Sequence, residues 1–94
     1  MKITEIIWLS KISEKIQWKH NVAPYEVKEV IESSRQFRFV EKGFSKGEDV
    51  YAALGRTLAG RYLIIFFIFK NNHQALILSA RDMTKAERKR YEKK

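Results

Sequence analysis

The chain has 94 residues, a formal net charge of +8 at neutral pH, 45% hydrophobic residues and no cysteine. This bounds a single domain, 1–94, with a modest core, and excludes disulfides, thiolate nucleophiles and cysteine-based zinc sites. The longest apolar run, Tyr62 to Phe69, is eight residues, well short of the about 20 that span a bilayer, so a cytoplasmic protein without a membrane partner is expected.

Ile3 to Trp8 is apolar and partly β-branched, which fits either a short strand or the lead-in to a helix. Ser10 is placed to cap a helix running to about His20, with Ile12 and Ile16 at i, i+4 marking its buried face. Asn21 and Val22 make the break, and Pro24 suits the first position of a second helix. Val27, Val30 and Ile31 give that helix an apolar stripe opposite Glu26, Lys28, Glu29 and Glu32. After Ser33-Ser34 the pattern changes. Gln36 to Val40 alternates as a half-buried strand does, Lys42 to Gly47 is a turn, and Glu48 to Gly55 is a second strand. Leu58-Ala59-Gly60 closes a hairpin onto Tyr62 to Phe69, whose unbroken apolar character predicts a central strand buried on both faces. Asn71-Asn72-His73 is a turn, and Gln74 to Ala80 a further strand. Thr84-Lys85-Ala86-Glu87 reads as a capping box opening a last helix, with Lys93 and Lys94 at the negative end of its dipole. The predicted fold is α+β in two layers: N-terminal helices packed on an antiparallel sheet of about four strands, with a C-terminal helix.

Charge is distributed unevenly along this chain. Residues 1–34 hold five lysines and five glutamates; residues 35–94 hold 14 Lys/Arg against six Asp/Glu and account for the whole excess. A solubility surface explains such a balance, and so does a footprint for a polyanion or an acidic protein. The four glycines have the wrong spacing for a phosphate loop, and no serine sits in a nucleophile elbow. His20 and His73 lie apart with no carboxylate at ligand spacing, so neither a metal site nor a cofactor is expected.

The groups left are arginines. Arg56 follows the second strand, Arg61 opens the next, and Arg81 stands where the last strand gives way to the final helix, which carries Arg88, Lys89, Arg90 and Tyr91. A guanidinium suits phosphate because it is permanently charged and donates two parallel hydrogen bonds. Each residue also has a plainer role. Arg81 can pair with Asp82, Glu48 or Glu87; Glu87 is accounted for by the capping box; Tyr91 can pack its ring on the sheet; His20 can answer a helix dipole; and Lys85 to Lys94 can be a solvated face. RNA cleavage by attack of a 2′-hydroxyl on its own phosphate needs only a base, cations and an acid, which Arg, Lys, His, Glu and Tyr supply.

Three segments carry a family likeness. Lys19-His20-Asn21-Val22 and the Glu/Val-rich helix after it resemble the "KHGV-S-x-E-E-V" segment of BrnT-type ribonuclease toxins. Leu54-Gly55-Arg56-Thr57 and Gly60-Arg61-Tyr62-Leu63 resemble their "x-G-R-T/S-x-x-G-R-x-L" hairpin. Ile77 to Thr84, with Glu87 and Tyr91, resembles their closing "I-S-A-R-x-A/M-T-x-x-E-x-x-x-Y", and the likeness extends over about residues 6–92. Asn21 stands where the family has glycine, and Ala23 where it has a serine cap. The resemblance implies a RelE-like fold, a type II toxin–antitoxin ribonuclease acting on cellular RNA, and a DNA-binding antitoxin, of the ribbon-helix-helix kind, with a dimer inside the toxin–antitoxin complex.

Laying residue chemistry over the matching positions gives an expected site for metal-free cleavage. Arg56 and Arg81 hold the scissile phosphate, Arg61 orients the strand, and Arg88 and Lys89 bind RNA. His20 or Glu48 is the base, Lys19 an auxiliary charge, and Tyr91 an acid or stacking platform. Two other readings remain open: a non-catalytic RNA- or protein-binding module that retains the toxin fold, and a structural subunit whose apolar strand Tyr62 to Phe69 completes a dimer.

Overall fold

The computed structural model describes residues 1–93; Lys94, second of the two C-terminal lysines, lies outside them. The elements are β1 (Glu5–Ile7), α1 (Ser10–His20), α2 (Pro24–Ser33), β2 (Gln36–Glu41), β3 (Val50–Arg56), β4 (Tyr62–Phe69), β5 (Gln74–Asp82) and α3 (Lys85–Glu92). The strands β2 to β5 form an antiparallel meander, and β1 joins β5 in parallel, giving the order β1-β5-β4-β3-β2. The fold is α+β, as the sequence predicts, but the sheet is five-stranded and mixed. The added strand is three residues long, too short for alternation to declare it, and its partner lies at the far end of the chain, Glu5 against Gln74.

Local chemistry explains the helix ends. Ser10 is not the cap of α1: it is already helical, and Leu9 stands in the capping position with extended geometry and no side-chain bond. At the other end Asn21 takes the left-handed conformation, φ 53°, and the N–H groups of Asn21 and Val22 return to the carbonyls of Gln17 and Ile16. This double closure is a Schellman-type stop, which asparagine tolerates better than other non-glycine residues. Pro24 opens α2, and Glu26 Oε1 accepts from the N–H of Ala23 at 3.0 Å. The capping box of α3 forms in full: Thr84 Oγ1 accepts from Glu87 N at 3.1 Å, and Glu87 Oε1 accepts from Thr84 N at 2.8 Å.

The pleat divides the core. Leu63, Ile65 and Phe67 of β4 face α1 and α2, and pack with Ile16, Val22, Val27, Val30 and Ile31. The alternate residues Ile64 and Phe66, with Ala52 and Leu54 of β3, meet Met83 and Tyr91 on the opposite face. Hence α3 forms a partial third layer over one end of the sheet. Gly55 is a point of close approach: a Cβ there would sit 3.2 Å from Val30 Cγ1. The central strand is buried as predicted, but β3 and β5 occupy both of its edges, so it is not available to complete a dimer.

Candidate active site

The meander brings three turning points to one end of the sheet. Arg56, the last residue of β3, pairs with Tyr62, the first of β4, and Arg81 near the end of β5 pairs with Ile64. The hairpin tip between Arg56 and Tyr62 is tight. Thr57 N–H donates to Arg61 O at 2.8 Å and Gly60 N–H to Thr57 O at 2.9 Å, with Gly60 at φ 93°. The helix α1 ends at the same rim, because Arg61 reaches the carbonyls of His20 and Asn21. Alternation then sorts these residues onto two faces.

On the α1/α2 face, Arg61 is fully committed. Its Nε donates to Asp82 Oδ1 at 2.8 Å, Nη1 to Asn21 O at 2.6 Å and to Glu26 Oε1 at 3.1 Å, and Nη2 to His20 O at 3.0 Å and Asp82 Oδ2 at 3.1 Å. A guanidinium has five N–H donors, and all five are used. The hydrogen bond to Asp82 raises the pKa of Arg61 and lowers that of Asp82. The expected role of Arg61 on RNA is therefore corrected: it latches the α1–α2 junction to the ends of β4 and β5. The His20 charge lies close enough to Asp82 to favour its carboxylate further. Lys19 and His20, with Lys15 and Ser79, line a small pocket of about 160 Å³ on this side.

On the α3 face the aromatic and basic groups gather. Arg88 Cζ lies 3.9 Å and Arg56 Cζ 4.8 Å from the centroid of the Tyr62 ring, within cation–π range. The Tyr91 ring meets Tyr62 edge-on at 6.0 Å, and Gln36 Nε2 donates to Tyr91 O at 3.0 Å. Tyr62 OH donates to Glu92 Oε2 at 2.9 Å. Arg35, Gln36, Arg56, Tyr62, Tyr91 and Glu92 line an open cleft of about 560 Å³. Arg56 is exposed and forms no ion pair with the described residues. Lys89 and Arg90 are exposed on the same helix.

Arg81 stands on the same face of the sheet, over the Phe66 ring. Of the three partners the sequence allows, it takes Glu87: Nη1 donates to Oε1 at 2.8 Å and Nη2 to Oε2 at 3.0 Å. Nη1 also reaches Asp82 O at 3.0 Å. The Arg81 hydrogen bond, aided by the N–H of Thr84, depresses the Glu87 carboxyl to about 2. Glu87 thus does more than cap α3. Two Arg81 donors, on Nε and Nη2, have no acceptor among the described residues.

Glu48 does not join the site. It precedes β3, a strand of seven residues that ends at Arg56; at the usual rise the two ends of that strand lie about 20 Å apart. The residues of the expected site thus fall on two surfaces, with Lys19, His20 and the Arg61–Asp82 pair on the α1/α2 face and Arg56, Arg81, Arg88 and Tyr91 on the α3 face. Arg35, Tyr62 and Glu92 also line the cleft, and the sequence alone does not single them out. Arg35 arrives through the β2–β3 register, Gln36 against Leu54, and Tyr62 is hidden inside an apolar run. Glu92 was visible four residues after Arg88 on α3. Among the described residues, no group of three or more His, Cys, Asp or Glu is arranged to hold a metal ion, and no helix is long and apolar enough to cross a membrane.

Comparison with known proteins bears on this geometry. Among solved structures, the crystal structure of the Brucella abortus ribonuclease toxin BrnT superposes with a TM-score of 0.63 at 13% identity, covering 87% of this chain and 99% of that one. Similarity at that identity speaks to the fold. No curated protein sequence matches. The family model described as "Ribonuclease toxin, BrnT, of type II toxin-antitoxin system" matches residues 8–87, which is most of the chain and includes α1, the Arg56–Arg61 hairpin and the Arg81–Glu87 pair. The chain belongs to the BrnT family of type II toxin–antitoxin ribonuclease toxins.

Proposed function

We propose that this protein is an endoribonuclease that cleaves RNA without a metal ion at the cleft on the α3 face, in the cytoplasm, and is neutralised by a cognate antitoxin. The observation that carries the reading is the open cleft lined by Arg35, Arg56, Tyr62 and Tyr91, with Arg88 over the Tyr62 ring beside it. Arg56, with its guanidinium uncommitted, binds the scissile phosphate and stabilises the charge that develops on its oxygens. Arg35 and Arg88 neutralise flanking phosphates, and Lys89 extends the basic surface along α3. Arg81 offers its two unbonded donors to the same phosphate while Glu87 holds the guanidinium in place. Tyr91 supplies a ring edge for a base or a proton to the leaving oxygen. Lys19 and His20 take the RNA strand where it passes onto the α1 side. Arginines in place of carboxylates make the charge supply independent of a metal.

The antitoxin, a DNA-binding protein of the ribbon-helix-helix kind, inhibits by laying acidic residues over the same arginines, so no second site is needed. Purified protein incubated with RNA in EDTA should cut it, and added antitoxin should stop the cutting. Intact RNA after incubation with the wild type overturns the reading. One observation favours the rival of a non-catalytic module: Arg61 is saturated and most carboxylates nearby are held in ion pairs. Growth arrest on expression without the antitoxin supports the nuclease, and indifference supports the module.

A further inference from the structure

Five carboxylates lie at the arginine end of the sheet, and their partners separate them. Glu26 and Asp82 are bonded to Arg61. Glu29 Oε1 accepts from the N–H of Leu58 at the hairpin tip at 3.0 Å. Glu87 is held by Arg81 and Thr84, and at a pKa of about 2 it is too weak a base to take a proton near neutrality. Glu92 differs. Oε2 accepts from Tyr62 OH at 2.9 Å, while Oε1 accepts no hydrogen bond from any described residue. Among the described residues its nearest cation, Arg88 Nε, stands at 3.8 Å, and its side chain is 50% exposed. It also lines the cleft beside Arg56. A carboxylate with one oxygen anchored by a hydroxyl and the other open to the cleft, with no guanidinium hydrogen-bonded to it, has the attributes of a general base.

We propose that Glu92 is the general base of this site and that Tyr62 is its positioning residue; this rests on the nuclease reading above. Arg56 draws the phosphate to the cleft, and Glu92 Oε1 accepts the proton of the neighbouring 2′-hydroxyl. The 2′-oxygen attacks phosphorus, forming the P–O2′ bond as the P–O5′ bond breaks. The departing 5′-oxygen takes a proton from Tyr91 or from water, the donor is reprotonated by solvent, and Glu92 returns its proton to solvent. The products are a 2′,3′-cyclic phosphate and a 5′-hydroxyl end. Tyr62 OH fixes the carboxylate, and the ring is itself fixed by the guanidinium groups of Arg56 and Arg88. Glu92 thereby takes the role that the sequence assigned to His20 or Glu48, the first across the Arg61–Asp82 pair and the second at the far end of β3.

The test uses the full chain and a short synthetic RNA in EDTA. Glu92→Gln keeps the shape and the Tyr62 contact, and should lower kcat about 100-fold or more with KM and melting temperature little changed. The acid limb of its pH–rate profile should vanish. Tyr62→Phe, which keeps the ring and loses only the hydroxyl, should lower kcat by less, without altering RNA affinity. Glu14→Gln, an exposed carboxylate on α1, should leave the rate as it is. A Glu92→Gln protein that cuts at the wild-type rate with the same pH profile overturns the assignment and leaves the nuclease reading standing. A wild type that cuts no RNA overturns both.

Discussion

Glutamine at position 87 separates two tasks that the glutamate performs. A glutamine amide can still accept from the N–H of Thr84, so the capping box survives; the charge that holds Arg81 does not. The carboxyl falls from its ordinary 4.5 to about 2 in the folded protein. At 1.36 kcal/mol per pH unit this corresponds to about 3 kcal/mol. The side chains of Glu87 and Arg81 are 22% and 33% exposed, so solvent screening brings the expected loss in Glu87→Gln to roughly 1–2 kcal/mol at neutral pH. The sign follows from the depressed pKa. The contribution is present above the unfolded value of 4.5, declines as the pH falls from 4.5 towards 2, and is gone once the folded carboxyl is protonated. Urea unfolding of both proteins at pH 7, 4.5, 3 and 2 should show a gap in midpoint that closes over this window. Equal midpoints at pH 7, or a gap undiminished at pH 2, would mean that the Glu87 charge does not stabilise the fold through Arg81.

Other positions follow from the same structure. Arg61→Lys exchanges a fork with five donors for a point charge and cannot satisfy Glu26, Asp82 and two carbonyls together. It should cost roughly 2–3 kcal/mol in a urea melt while leaving the salt dependence of RNA binding as in the wild type. Ala23→Ser places an acceptor at a cap whose φ −86°, ψ 152° already suits it, and should add about 1 kcal/mol, read as a higher melting temperature. Arg56→Ala removes one phosphate contact. Its RNA affinity should fall and the slope of log K against log salt should lessen by about 0.7 for a single strand; an unchanged slope removes Arg56 from the RNA path.

Much of this was readable from the residues, and what escaped did so for physical reasons. The helices α1 and α2 announce themselves by the i, i+4 spacing of Ile12 and Ile16 and by Pro24, and Thr84 and Glu87 mark the start of α3. Tyr62 to Phe69 is central because every residue of it is apolar. Local signals fail where geometry is set at long range. β1 is defined by pairing with β5, and a strand of three residues has no periodicity of its own. Ser10 was a good cap residue one position late, since Leu9 has the extended geometry of the cap. The same limit governs the site. Turn spacing was enough to gather Arg56, Arg61 and Arg81 at one end of the sheet. The faces they occupy depend on register: Arg61 is one residue before Tyr62, and that single step sends it to the opposite side. Glu48 was drawn in by its chemistry, yet the length of β3 removes it. The partners of Arg81 were open among three carboxylates until the α3 fold placed Glu87 opposite its fork.

Whether the arginine cleft on the α3 face cleaves RNA is decided by the cleavage rate of a defined RNA in EDTA, measured for the wild type and for Arg56→Ala, both shown to be folded by thermal melting. The wild type should cut the RNA, and Arg56→Ala should lose about 100-fold or more, the scale of losing one donor to a developing phosphoryl charge. Equal rates for the two proteins would place the cleavage elsewhere than at this cleft.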